Sequence, residues 1–269
     1  MLGSVQVVEQ MAADSFHPSS GASEDGFLAA LGQKWREMRD APLPASGGIG
    51  FRPALEAAEM RRLCREAALT GAPPDAVARL WRSLCGDVAA ARGLKAVFVA
   101  GGDVSLTLEA GRGYFGFGPD LQPVVGIRDA LERVMTMPGT LACVPWPEHA
   151  GGGQWWPMLN ESRFHDLTIV AGWPALPSAT PGLPQVAIVG RLPIEPSGDD
   201  EMLATAHDDH WTAEKMLQEV GLKAEVVTRA RSFALIRIAE YVAPDDRRID
   251  LARLAGLDGL RVVGVRPRP

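Results

Sequence analysis

Apolar positions recur with helical spacing through residues 24–94. Phe27, Leu31, Trp35 and Met38 share one stripe, and "APLPASGGIG" ends that helix. Pro53 suits a first helical turn, and Leu55, Ala58, Leu63, Cys64 and Ala67 predict a second apolar face. After the loop "TGAPPD", Val77, Leu80, Trp81, Leu84, Val88 and Ala91 predict a third helix. At Lys95 the pattern changes. "KAVFVAGG" predicts a buried strand closed by glycines, "SLTLEAGRGYFG" and "RDALERVM" predict helices, and "TLACVP" and "HDLTIVAGW" predict further strands. This alternation over residues 95–174 predicts an α/β lobe with parallel pairing. "PALPSATPGLP" is a linker. Beyond it, strand "QVAIVGRL", helix "TAEKMLQEVG", strands "AEVVTR" and "SFALIRIAEYV", helix "RRIDLARLAG" and strand "LRVVGVR" follow a βαββαβ, ferredoxin-like order.

Composition narrows the function. With 269 residues, 46% of them hydrophobic, the chain can bury a sizeable core. The net charge of -6 argues against a phosphate-tracking surface and so against a nucleic-acid partner. Cys64, Cys85 and Cys143 are scattered, with no CxxC pair, and read as small buried side chains in a reducing compartment. Residues 1–23 are polar, small and aperiodic, which predicts a disordered tail rather than a secretory signal. No apolar run reaches a membrane span, so the expectation is a cytoplasmic protein without a membrane partner.

Two motifs have plain readings that outweigh their chemical ones. "GRGYFG" matches GxGxxG, but its glycines sit late in a predicted helix instead of at a strand-to-helix turn. "HDDH", His207–His210, holds four metal-capable side chains, yet it also reads as a polar loop capping the next helix; no metal is expected there, and no cofactor. The stretch "VPWPEHAGGGQWWPMLNESRF" is less easily dismissed. A strand ends in a Pro-rich turn, three glycines and two tryptophans follow, and a polar cluster of Asn160, Ser162 and Arg163 closes it.

Three segments carry a family resemblance. "FRPALEAAEMRRL" with "ARLWRSLCGDVAAARG" resembles the second and third helices of the all-helical chorismate mutases. "LACVPWPEH" and "NESRF" resemble the Val-Pro-Ile-Glu-Asn-Ser turn and the Asn-x-Thr-Arg-Phe signature of prephenate dehydratases. The C-terminal part, including "RLPIEPSGDDEML" and "LRVVGVRPR", is similar to an ACT regulatory domain. Together they resemble the bifunctional mutase–dehydratase of phenylalanine biosynthesis. The implied fold is α+β in several units: a tail (1–23), a helical mutase-like domain (24–94), a single dehydratase-like lobe (95–174), a linker (175–184) and an ACT-like domain (185–269).

The resemblance also implies sites, with departures. The mutase set falls at Lys34, Arg52, Glu56 and Arg92, but Lys34 stands where the family has an arginine, Leu55 where it has another, Val88 where it has a serine and Arg92 where it has a glutamine. Losing one such contact costs about 3–4 kcal/mol, so losing several removes most of the rate enhancement. Only "AGGGQWWPML" separates the two dehydratase motifs, which is too short for the family's second lobe. The turn then reads as a remnant, its tryptophans covering the surface that the lobe would have hidden. Asn160, Ser162 and Arg163 are the residues left to bind substrate, with a surface salt bridge as the other reading of Arg163. The ACT-like loop Glu195, Pro196, Ser197 and Gly198 is the place for a regulatory ligand, although Asp199 and Asp200 would repel a carboxylate. The expectation is a degenerate, non-catalytic homodimer that binds chorismate, prephenate or an aromatic amino acid. The alternative is an active chorismate mutase with a rearranged site.

Overall fold

The structure, a computed structural model, describes residues 24–42, 49–148, 154–176, 181–243 and 245–268. The expected tail and Gly151–Gly153 lie outside them. The chain forms two units, Met1–Asp40 and Ala41–Pro269. In the first, Glu24–Asp40 is helix α1, where the sequence predicts it.

The second unit opens with a helical hairpin. Pro53 and Pro74 occupy the first turns of α2 (Pro53–Thr70) and α3 (Pro74–Ala91), where a missing N–H costs nothing. Gly71, at φ 79°, closes α2 in the left-handed conformation. The hairpin belongs to the same unit as the sheet, so the structure divides the chain near residue 40 and not near 94. Helix α3 packs on α2 and on α4 (Val104–Phe115), and α2 reaches the sheet. A Cβ on Gly86 would lie 1.7 Å from the Phe115 carbonyl oxygen, so the α3–α4 crossing requires glycine there.

Nine strands make one sheet: β1 (Ala96–Val99), β2 (Asp120–Pro123), β3 (Thr140–Pro145), β4 (Thr168–Trp173), β5 (Val186–Gly190), β6 (Asp200–His207), β7 (Ala224–Ala230), β8 (Phe233–Ile238) and β9 (Arg261–Pro267). Their order is β2-β1-β3-β5-β4-β9-β6-β8-β7. Strands β2 and β3 run parallel to β1, with α4 and α5 (Ile127–Thr136) as crossovers. Strand β5 is antiparallel to both β3 and β4. The remaining strands, with α6 (Ala213–Glu219) and α7 (Arg247–Leu254), are β6-α6-β7-β8-α7-β9 with sheet order β9-β6-β8-β7, the ferredoxin-like topology.

One sequence expectation is corrected here. "QVAIVGRL" is not the first strand of the ferredoxin-like unit. As β5 it is buried throughout and sits between β3 and β4. A continuously apolar strand needs cover on both faces, which only a central position provides. The unit's first strand is β6, so the loop Glu195–Gly198 precedes that strand instead of following it. Strand β2, polar and exposed, forms the other edge and was also missed.

Two cores lie on the sheet. Met202, Ala204 and Ala206 face the core under α6 and α7, while Leu203 faces the opposite core. That second core runs beneath both halves of the sheet and contains Phe98, Leu131, Val144, Trp155, Trp156, Phe164, Leu203 and Leu235. Trp155 and Trp156 are buried, and Trp155 Nε1 donates to the Pro145 carbonyl at 2.9 Å. The tryptophan pair thus covers a sheet surface, as its plain reading expects.

The two halves meet where β4 and β9 pair in parallel at a single position, Ile169 opposite Gly264. A Cβ on Gly264 would lie 2.5 Å from the Ile169 Cβ and 2.8 Å from its carbonyl oxygen. Gly264→Val is expected to destabilise the protein by about 1–3 kcal/mol through overpacking. The urea midpoint of the variant measures this.

Candidate functional site

The mutase set is not one open cluster. Lys34 lies on α1, in the first unit. Arg52 precedes α2, and its backbone N–H donates to Glu56 Oε1 at 3.1 Å. Glu56 is 5% exposed, and its Oε2 accepts from Arg82 Nη1 at 2.8 Å. Arg82, 2% exposed, also donates from Nε to the Tyr114 carbonyl at 3.1 Å and lies 3.6 Å from the centre of the Tyr114 ring. Burial opposes the guanidinium charge, but the electron-rich Tyr114 and the Glu56 carboxylate outweigh it, and the Arg82 pKa is raised. Burial likewise pushes the Tyr114 phenol up. Arg92 follows α3 and donates from Nη2 to the Ala41 carbonyl at 2.7 Å. Sequence reasoning missed Arg82. Its signal is an arginine between Trp81 and Cys85 on the helix's apolar stripe.

The regulatory loop is engaged from within the chain. Arg61 of α2 donates to the Ser197 carbonyl and, from Nη1 and Nη2, to Ser197 Oγ at 3.1 Å, and it reaches the Arg268 carbonyl at 2.8 Å. Ser197 Oγ donates to Asp200 Oδ1 at 2.6 Å, and the Ser197 and Gly198 N–H groups donate to Asp200 Oδ2 at 2.7 and 3.2 Å. Glu195 and Pro196 lead into this network. Asp200, expected to repel a ligand, is 4% exposed and holds its own loop.

The dehydratase-like cluster splits. It occupies two 3-10 turns, Trp156–Asn160 and Ser162–Phe164. Arg163 is half-exposed and pairs with Glu132 at 2.8 Å and Glu161 at 3.0 Å, the surface salt bridge that was its other reading. Exposed pairs of this kind contribute little. The Ser162 carbonyl accepts from the His165 N–H at 3.5 Å. Asn160 differs. Its Oδ1 accepts from the buried Thr205 hydroxyl at 2.9 Å, and its Nδ2 is buried without an acceptor.

Asn160 lines a hollow of about 360 Å³ with His165, His207, Phe233, Arg253 and Arg261. The His207 and Phe233 rings stack at 4.0 Å between centroids. Arg261 donates to three carbonyls, those of Leu159, His165 and Leu167, and no ion pair neutralises it among the described residues. Burial lowers its pKa, as an uncompensated cation requires. The hollow therefore combines an unsatisfied amide donor, a cation without a counter-charge and a flat aromatic wall. That set suits a small carboxylate with a planar body.

The two motifs set aside behave as solvated or structural features. Gly111 and Gly113 lie inside α4, whose N-terminus is capped by Asp103 through bonds from the Ser105 and Leu106 N–H groups. In "HDDH", Asp208 Oδ1 accepts from the Thr212 and Ala213 N–H groups at 2.7 and 3.0 Å, at the start of α6. Burial acts to raise the Asp208 pKa, but these bonds and the Arg229 guanidinium hold it below the usual carboxylate value. Among the described residues no group of three or more His, Cys, Asp or Glu is placed to hold a metal ion, and no helix is long and apolar enough to cross a membrane.

With the geometry described, the comparisons can be stated. Among solved structures the chain is similar to GqqA, described as a novel type of quorum quenching acylase, at 14% identity and a TM-score of 0.47 over 65% of this chain and 95% of that one. It is similar to prephenate dehydratase from Streptococcus mutans at 16% identity and a TM-score of 0.41, over 65% of this chain and all (100%) of that one. It is similar, again at 16% and 0.41, to prephenate dehydratase from Arthrobacter aurescens in complex with L-Phe, over 65% of this chain and 90% of that one. No protein-family model matches the sequence, and no curated protein does.

Removing the Glu56 carboxylate leaves a buried guanidinium without its counter-ion. Glu56→Ala is expected to cost about 3–5 kcal/mol, read as a fall in the denaturation midpoint.

Proposed function

We propose that the protein is a non-catalytic relative of the mutase–dehydratase proteins that binds a small aromatic carboxylate in aromatic amino-acid metabolism. The observation that carries this reading is the buried ion pair of Glu56 with Arg82. A mutase needs its carboxylate and cations turned toward a doubly anionic substrate, and here the carboxylate is committed to neighbours inside the fold. The short turn between the dehydratase motifs supports the same reading, because it leaves no room for a second lobe. The binding function rests on the hollow at Asn160, with Arg261 beside the ligand carboxylate, Asn160 Nδ2 donating to it and the His207–Phe233 stack against its ring. Phenylalanine, prephenate and chorismate all have that chemistry. A cytoplasmic homodimer fits the resemblance.

The second reading, an active chorismate mutase with a rearranged site, has one observation in its favour: Arg52 Nε is buried beside Glu56 without an acceptor. A chorismate consumption assay separates the two. The expected result is no turnover above the uncatalysed rate, with phenylalanine or prephenate raising the melting temperature. Asn160→Asp, which places a second carboxylate against the ligand's, is expected to weaken that binding by about tenfold or more. Turnover lost in Glu56→Ala would establish the mutase instead, and no thermal shift with any of the three ligands would remove the binding reading.

A further inference from the structure

The buried ion pair borders a second, smaller site. Two of the three nitrogens of the Arg82 guanidinium have acceptors, and Nη2 has none. Across from it, Trp173 of β4 is 0% exposed, and its Nε1, the only polar atom of that side chain, is also without an acceptor. Both residues line one cavity of about 20 Å³, bounded otherwise by Pro53, Ala57, Met60 and Tyr114 among its walls. A buried donor left unmade costs as much as the bond it forgoes, and a charged one costs more. Two such atoms on one cavity require an occupant.

Size and polarity define that occupant. A cavity of this volume admits about one water-sized body. Both orphaned atoms are donors, and no carboxylate or amide side chain lines the walls to take a water molecule's hydrogens. The local charge also favours an anion: Arg52 and Arg82 adjoin a single carboxylate, Glu56, and Arg52 Nε is itself buried without an acceptor. We propose that the cavity binds a monovalent anion of halide size, held by Arg82 Nη2 and Trp173 Nε1. Because one donor comes from α3 and the other from β4, the ion fastens the helical hairpin to the sheet.

The test uses the whole chain. Crystals soaked in bromide and measured at the bromine edge are expected to show an anomalous peak between Arg82 and Trp173. In solution, chloride or bromide is expected to raise the melting temperature by about 2–4 °C over gluconate at equal ionic strength. Trp173→Phe, which removes the donor and keeps the ring, is expected to abolish that difference. A cavity with density but no anomalous signal would mean water and overturn the proposal. A melting temperature indifferent to the anion would overturn it as well. If Trp173→Phe does not fold, the wild-type diffraction result decides. None of these outcomes depends on chorismate or phenylalanine, so this proposal and the functional reading can fail separately.

Discussion

A guanidinium almost sealed from water is the constraint on which the second unit depends. Transferring such a charge out of solvent costs several kcal/mol even after relaxation, so the surrounding chain must answer it with acceptors. Arg82 obtains them from three directions: the Glu56 carboxylate on α2, the Tyr114 carbonyl on α4 and the face of the Tyr114 ring. One side chain on α3 thereby fixes the two helices that flank it. Trp81 adds a further tie, donating from Nε1 to the Glu56 carbonyl at 2.8 Å. The hairpin is part of the sheet's own unit because its polar interior is completed only against α4.

This explains how much of the site the sequence revealed. Glu56 stands out because the family resemblance keeps it where the cationic partners are missing, and the structure places that carboxylate on Arg82. Spacing alone does not separate an arginine pointing inward from one on a solvated helix face, so Arg82 gave no signal. The same limit applies to Arg61, which reads as part of the charged run "MRRLCRE" yet reaches Ser197, 136 residues away. Periodicity reports local geometry; buried ion pairs and long-range caps are decided by what the fold brings opposite.

The strand pattern shows the complementary case. Helices α2 to α5 and strands β1, β3 and β4 were legible, because each carries an uninterrupted period or an apolar run closed by Pro or Gly. The error fell on β5 and β6. "VAIVG" is the stronger strand and was taken to open the ferredoxin-like unit, while "DEMLATAH" begins with two acids and looks like loop. Asp200 can begin a strand and be buried because the Ser197 hydroxyl and two backbone N–H groups bind its carboxylate. The polar residue that disguised the strand is the one that organises the loop before it.

The sheet's seam places the hollow. Strands β4 and β9 touch through one pair, so the two halves share little backbone bonding there, and the core containing Trp155 and Trp156 must bridge them. The turns that carry those tryptophans continue into Asn160, which reaches across to Thr205 on β6, and Arg261 on β9 reaches back to the carbonyls of Leu159, His165 and Leu167. Each half therefore supplies polar groups to the other at the rim of one cavity. Arg261 satisfies its donors on carbonyls alone, which leaves its charge unbalanced and its neighbour Asn160 short of an acceptor. An anion in that hollow would answer both deficits at once while touching both halves. The same cross-seam contacts that hold the sheet together therefore shape the place where a ligand's negative charge is most favourable.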